Sequence, residues 1–225
     1  LDGLVRRTGI DPARIDDVIL GCVGQAGEQA VNVARNAVLA SGLPQSVPAT
    51  SVDRQCGSSQ QAIHFAAATV MSGAMDVVIA GGVESMTRVP MGLASSLPLK
   101  DGFGIYMSPA MEARYPGVQF SQFGGAEMVA RKHGLSREAL DAFGYDSHRK
   151  AAAAIRAGAF DGEIEPVKVA GADGTFEDHV VDEGVRFDAS LEAMANVKLL
   201  QDGGVITAAT SSQICDGAAA AMIVN

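Results

Sequence analysis

Residues 51–65, SVDRQCGSSQQAIHF, constrain this chain more than any other stretch, because they carry a cysteine from an extended segment into a helix. Residues 47–52 are short, β-branched and bounded by Pro44 and Pro48, which predicts a strand entering a turn. Gly57, Ser58 and Ser59 are turn and cap residues. From residue 60 to 71 the chain is Ala-rich, with Ile63, Ala66, Ala67 and Val70 at helical spacing and Gly73 placed to end the run. Cys56 therefore stands at a helix N-terminus, where unpaired N–H groups and the positive end of the macrodipole favour the thiolate over the thiol. That is the setting of a nucleophile. Gly57 lets the backbone pass close to a substrate, and the Cys56 N–H can itself donate to an oxyanion. The alternative is a buried cysteine acting as a small hydrophobe. The strand-to-helix junction, the polar residues on both sides of the thiol and the helix that follows favour the nucleophile. Because residues 62–71 are apolar on almost every side, this helix is expected to be buried all round, with its N-terminus aimed into a pocket and His64 in the core.

The segments around this junction alternate. Residues 1–8 read as a helix closed by Gly9, residues 18–22 as a strand ending in glycines, and residues 32–40 as a helix with Val31, Ala34, Val38 and Leu39 on its inner side. After the Cys56 helix comes a second strand, residues 76–80, whose unbroken apolar run VVIA predicts cover on both faces. Residues 218–224 read the same way. Such alternation implies parallel pairing with crossover helices, an α/β layered fold. Gly81-Gly82 after a strand invites a dinucleotide-binding reading, but VESMT follows where a GxGxxG would open a helix. A tight backbone pass near the active cleft is preferred there, and Glu84 reads as a structural or solvated carboxylate.

From residue 88 to about 187 the character changes. Residues 88–125 hold many Gly, Pro, Met and Ser with no clear period, a long irregular excursion of the kind that forms binding loops or lids. One helix is expected over residues 125–133. A longer one, over 137–157, is capped by Ser136, with Glu138 early and Arg149, Lys150 and Arg156 late, as the macrodipole prefers. Residues 163–169 and 175–181 predict two strands joined through residues 171–174 as a hairpin.

Of 225 residues, 48% are hydrophobic and 19% charged, which suits a soluble globular protein. A net charge of −9 argues against a nucleic-acid binder, and no apolar run is long enough for a membrane span. The three cysteines, Cys22, Cys56 and Cys215, are far apart and lack metal-ligand spacing, which fits a reducing, cytoplasmic setting and argues against a metal site. His133 and His148, set among charges, read as surface residues.

Three blocks resemble the thiolase family, the acyl-CoA acetyltransferases: DRQCGSSQQA around Cys56, GAMDVVIAGGVESMT over residues 73–87, and GVITAATSSQICDGAAAAM over residues 204–222. They stand in that family's order with similar spacing, and the similarity runs over essentially the whole chain. The resemblance implies a layered thiolase-like fold whose N-terminal α/β half, residues 1–87 and 190–225, is interrupted by an inserted loop domain, residues 88–189, that covers coenzyme A. Cys56 would be the acyl-thioester nucleophile. Arg186 matches an arginine that contacts the nucleotide end of CoA, and Ser212 a serine near the pantetheine; the alternatives are a solvated arginine and a turn serine. No cofactor would be held permanently, CoA and acetyl-CoA being substrates in fatty-acid and lipid metabolism, and the enzyme would be a homodimer or homotetramer. A decarboxylating ketoacyl synthase and a non-catalytic thiolase-like lipid carrier are the competing readings. TSSQ, in place of a commoner NASG-like sequence, points to a bulky or steroid-derived acyl chain.

The start, LDGLVRRTGIDP, lacks an initiator methionine, and the family's asparagine motif, catalytic histidine and second cysteine do not occur in residues 1–225. The chain is therefore expected to be part of a longer polypeptide, inactive by itself, with a gap in its sheet where the family's central first strand belongs.

Overall fold

The computed structural model describes residues 1–171 and 173–225. The elements run α1 (Asp2–Thr8), β1 (Asp17–Gly21), α2 (Val33–Ala40), β2 (Ala49–Val52), α3 (Ser58–Met71), β3 (Val77–Ser85), α4 (Leu93–Lys100), α5 (Pro109–Arg114), α6 (Gln122–His133), α7 (Arg137–Arg156), β4 (Val167–Ala170), β5 (Phe176–His179), α8 (Leu191–Ala195) and β6 (Asp216–Val224). They form two compact units, one of Leu1–Met111 with Ile214–Asn225 and one of Glu112–Gln213.

The first unit is a four-stranded sheet in the order β2-β1-β3-β6. β1 is parallel to both β2 and β3, and β6 is antiparallel to β3 over nine registered pairs from Val77↔Val224 to Ser85↔Asp216. The α/β fold class expected from the sequence is the one seen. The strands alternate their side chains between two layers. Val18, Leu20, Val77 and Ile79 pack with Ala34 and Val38 of α2, while Ile19, Val78 and Ala80 pack with Ala62, Ala66 and Val70 of α3. Removing this apolar surface from water holds the layers together at roughly 25 cal/mol per Å².

Four expectations need correction here. The sheet has no gap: β1 and β3 pair directly, Asp17↔Val78 through Gly21↔Gly82. α3 is buried on one stripe only, Ser58, Ala62, Ala66 and Val70, four residues apart, and its Ile63, His64 and Phe65 face outward. Alanines on the inner stripe let the helix sit close to the sheet, so its bulkier apolar residues are left on the outer side. β6 is an edge strand whose residues 216–221 are exposed, since only Met222 and Ile223 reach the two helical layers. β3 does not stop before the glycines but continues through Gly81 and Gly82 to Ser85.

In the second unit the Ser136 Oγ accepts from the Ala139 N–H, the cap read from the sequence. The Arg137 guanidinium pairs with Asp141 at 2.7 Å and donates to the carbonyls of Met194 and Val197, tying α7 to α8. Glu127 is buried and accepts from the N–H groups of Val205 and Ile206, each at 2.8 Å, which fixes the loop leading to Thr207. β4 and β5 form the expected hairpin, shorter than predicted, and of its loop, residues 171–174, position 172 lies outside the described residues. The irregular excursion contains two short helices, α4 and α5.

Candidate functional site

Three residues shape the turn that presents Cys56. The Asp53 carboxylate accepts from the Gln55 N–H at 2.8 Å, closing an Asx turn. Gln55 takes φ 48°, a left-handed conformation that a residue with a side chain rarely adopts. The Ser58 Oγ accepts from the Arg54 N–H at 2.9 Å and donates to the Gln55 carbonyl at 2.5 Å. Ser58 thus turns back to hold the loop rather than cap the helix. The N-cap of α3 is Gly57, which has no side chain to offer, so the first-turn N–H groups are left uncapped beside the thiol. Cys56 itself is exposed.

The first turn of α3 lies on the carboxyl ends of β1 and β3, where two glycines face each other across the sheet in register, Gly21↔Gly82. A Cβ on Gly21 would overlap the Ser59 nitrogen and the Ser58 carbonyl carbon, and one on Gly82 would come within 2.8 Å of the Ser59 Cβ. Only a residue without a side chain leaves room here. The tight pass expected at Gly81-Gly82 exists, and it is the passage of the cysteine helix. Neither Gly21 as its partner nor the role of Asp53 was readable in advance.

Beside this junction Glu84 is a structural carboxylate, accepting from the N–H groups of Val23 (2.8 Å) and Gly24 (3.0 Å) and from the Gln29 amide (2.9 Å). Gln29, itself buried, accepts from the Ser85 N–H at 2.6 Å. The pair laces the loop after β1 to the end of β3. Cys22, 1% exposed, sits within this lacing. Burial, reinforced by the charges of Glu84 and Asp53, pushes its thiol up to about 11, so it is a protonated, shielded sulfur. Cys215 is free and exposed.

Arg186 and Ser212 belong to the second unit. Ser212 is exposed on the loop after the Ala208–Thr210 turn, which Thr207 and Thr210 close with a capping box. Arg186 is exposed, its backbone N–H donating to the His148 Nδ1 at 3.2 Å, and it lines a cavity with residues of α7. His148 is half-buried, not on the surface as expected. Among the described residues, no group of His, Cys, Asp and Glu is arranged to hold a metal, and no helix is long and apolar enough to cross a membrane.

Comparison with known proteins identifies the family of the chain. The chain is 48% identical over 228 residues to the steroid 3-ketoacyl-CoA thiolase FadA6 of Mycobacterium tuberculosis, an alignment covering 99% of this chain and 54% of that protein. It is 41% identical to a 3-ketoacyl-CoA thiolase of Escherichia coli O139:H28 over 224 residues, and 42% identical to one of Saccharophagus degradans over 226, each covering 99% of this chain and 55% of the relative. The chain thus spans about half the length of the curated relatives it matches. The model of the thiolase N-terminal domain matches residues 1–225, and the chain belongs to the thiolase family.

Proposed function

We propose that the intact protein is a 3-ketoacyl-CoA thiolase in which Cys56 is the nucleophile. The observation that carries this reading is the placement of an exposed thiol on a left-handed turn directly before an uncapped helix whose first turn is seated on Gly21 and Gly82. The thiolate Sγ attacks the 3-keto carbon of the substrate, with the Cys56 N–H as an oxyanion donor. The C2–C3 bond breaks, and its electron pair leaves on acetyl-CoA as an enolate that takes up a proton. The acyl group remains on Cys56 as a thioester until a CoA thiolate collects it. A helix N-terminus favours the thiolate by only about 1 kcal/mol or less, so a basic partner from the remainder of the polypeptide completes the activation. Arg186 holds the nucleotide end of CoA and Ser212 lies near the pantetheine, both supported by their match to the family's motifs. The enzyme works as a homodimer or homotetramer in the cytoplasm. The likeness to a relative named for steroid substrates, together with the TSSQ sequence, favours a bulky acyl chain.

Incubating the full-length polypeptide with acetyl-CoA and mapping the product by mass spectrometry tests this. Acetyl is expected on Cys56, absent from Cys22, and iodoacetamide labelling of Cys56 but not of Cys215 should be suppressed. A protein that acquires no acetyl on Cys56 would remove it as the nucleophile and favour the lipid-carrier reading.

A further inference from the structure

Ala80, Gly82 and Glu84 alternate along β3 and so share one face of the sheet. Ala80 packs with Ala62 and Ala66 of α3, and a Cβ on Gly82 would meet the Ser59 Cβ at 2.8 Å, so this is the face on which the cysteine helix rests. Glu84 is the next side chain on it, just past the helix start. It is half-buried, and both its oxygens are engaged by the loop after β1. Oε2 accepts from the Val23 N–H at 2.8 Å, and Oε1 from the Gly24 N–H at 3.0 Å and the Gln29 amide at 2.9 Å. The same Gln29 amide nitrogen donates to the Gly24 carbonyl at 2.8 Å. A Cβ on Gly24 would stand 2.8 Å from the Glu84 Oε1 and 3.1 Å from the Gln29 Nε2, so the carboxylate reaches this backbone only because residue 24 is a glycine. Among the described residues no cation pairs with Glu84; its partners are two backbone N–H groups and one amide. Residues 21–24 are thereby clamped from two sides. The Cys22 N–H donates to the Val52 carbonyl at 3.0 Å, at the end of the strand that leads to the Cys56 turn, while Val23 and Gly24 are held to β3. Gly21, on which the Ser58–Ser59 backbone sits, opens this clamped run.

We propose that Glu84 is a positioning residue for the reaction at Cys56: by holding residues 21–24 against β3 it fixes the glycine seat under α3, and with it the aim of the Cys56 thiol and N–H at the acyl carbonyl. This rests on the reading of Cys56 as the nucleophile. Hydrogen bonds from backbone N–H groups to a carboxylate are short and strong, so they limit how far the loop drifts. The seat has no slack, since a Cβ on Gly21 would already lie 2.3 Å from the Ser59 nitrogen. A misplacement of about 1 Å costs as much as about a hundredfold in rate.

Single-turnover acetylation of Cys56 by acetyl-CoA, followed across substrate concentrations in the full-length polypeptide, is compared with alkylation of the same thiol by iodoacetamide. The small reagent needs an accessible thiolate but no fixed aim. Glu84→Gln keeps the shape and turns one accepting oxygen into an amide group that faces donors. Its maximal acetylation rate is expected to fall about tenfold, with the half-saturating acetyl-CoA concentration and the alkylation rate each within about twofold of the unaltered protein. Val38→Ala opens the core on the opposite side of the sheet, so it should lower the unfolding midpoint and leave all three quantities unchanged. Should Glu84→Gln fail to fold, Glu84→Asp keeps the charge, stops short of the two N–H groups and should show the same loss. An undiminished maximal rate, a raised half-saturating concentration at the normal maximal rate, or a matching fall in Val38→Ala would each overturn the proposal. So would an equal fall in acetylation and alkylation, which would assign Glu84 to thiolate formation instead of aim. An unaltered protein that takes no acetyl on Cys56 defeats the nucleophile and this inference together. An acetylated protein in which Glu84→Gln reacts as fast defeats this inference alone.

Discussion

Two cysteines on neighbouring strand ends show how position decides chemistry. The Cys22 N–H is bonded to the carbonyl of Val52, the last residue of β2, and four residues beyond Val52 the chain presents Cys56 to solvent. Cys22 is buried and its thiol is raised from 9.0 to about 11. A thiol whose folded pKa exceeds its unfolded one stabilises the fold fully below the unfolded value, and loses that contribution as pH rises through the folded one. The expected size is on the order of 2 kcal/mol, lost between about pH 9 and pH 11. Cys22→Ala should therefore be the less stable protein at pH 7, through lost packing, and the gap should narrow toward pH 11 as the unaltered protein gives up this contribution. Denaturant midpoints measured at both values check it; a constant gap would mean that Cys22 does not titrate as its surroundings dictate. Cys56 was legible from its neighbours in sequence because a strand, a turn and a helix start are local signals. Glu84 was not, since its partners Val23, Gly24 and Gln29 lie 55 to 61 residues away.

Among the elements, α3 carries the candidate site, and its seat on the sheet is set by Gly21 and Gly82. Gly82→Ala places a methyl group 2.8 Å from the Ser59 Cβ and 3.0 Å from the Gly21 carbonyl oxygen, so the helix start must lift. Overpacking of this kind costs about 1–3 kcal/mol. Since a displacement of about 1 Å is enough to impair a reacting geometry, acetylation of Cys56 should slow by roughly tenfold or more. Comparing acetylation rate and unfolding midpoint for Gly82→Ala and for Gly73→Ala, whose Cβ meets nothing within 4 Å, separates loss of the seat from general destabilisation. Equal acetylation in the two proteins would show that the glycine pair does not govern the thiol. Most strands and helices of the first unit were readable from apolar periodicity, and the cap of α7 from Ser136, whereas the caps of α2 and α6 at Asn32 and Ser121 and the helices α4 and α5 were not. Burial was harder. An apolar run such as residues 218–224 says that a strand tolerates cover, but which neighbour supplies it depends on strand order, a non-local property, and here β6 falls at the edge.

At the scale of the molecule, stability is expected to be uneven. Val18 and residues 78–80 are fully buried between two helical layers, whereas every residue of β4 and β5 is exposed and, among the described residues, the hairpin is crossed by a single ion pair, Lys168–Asp178. A two-stranded hairpin without a covered face is marginal in water. Amide hydrogen exchange on the full-length polypeptide should find the amides of β1 and β3 slower than those of residues 167–179 by at least about a hundredfold. Comparable rates would show that the hairpin is covered by another part of the protein. One further property follows from how the sheet ends. β3 finishes at Ser85 directly opposite Asp216, the first residue of β6, and the Asp216 carboxylate accepts from the Thr87 N–H (2.9 Å), the Thr87 hydroxyl (2.5 Å) and the Ser85 hydroxyl (3.1 Å), bonds that hold its pKa below the usual carboxylate range. The chain thus leaves the sheet and returns to it through one stitched doorway. Because the strand ends are tied to each other at this point, the second unit can be exchanged for another module, or replaced by a short turn after Val89, with the register of β3 and β6 held by the Asp216 bonds alone.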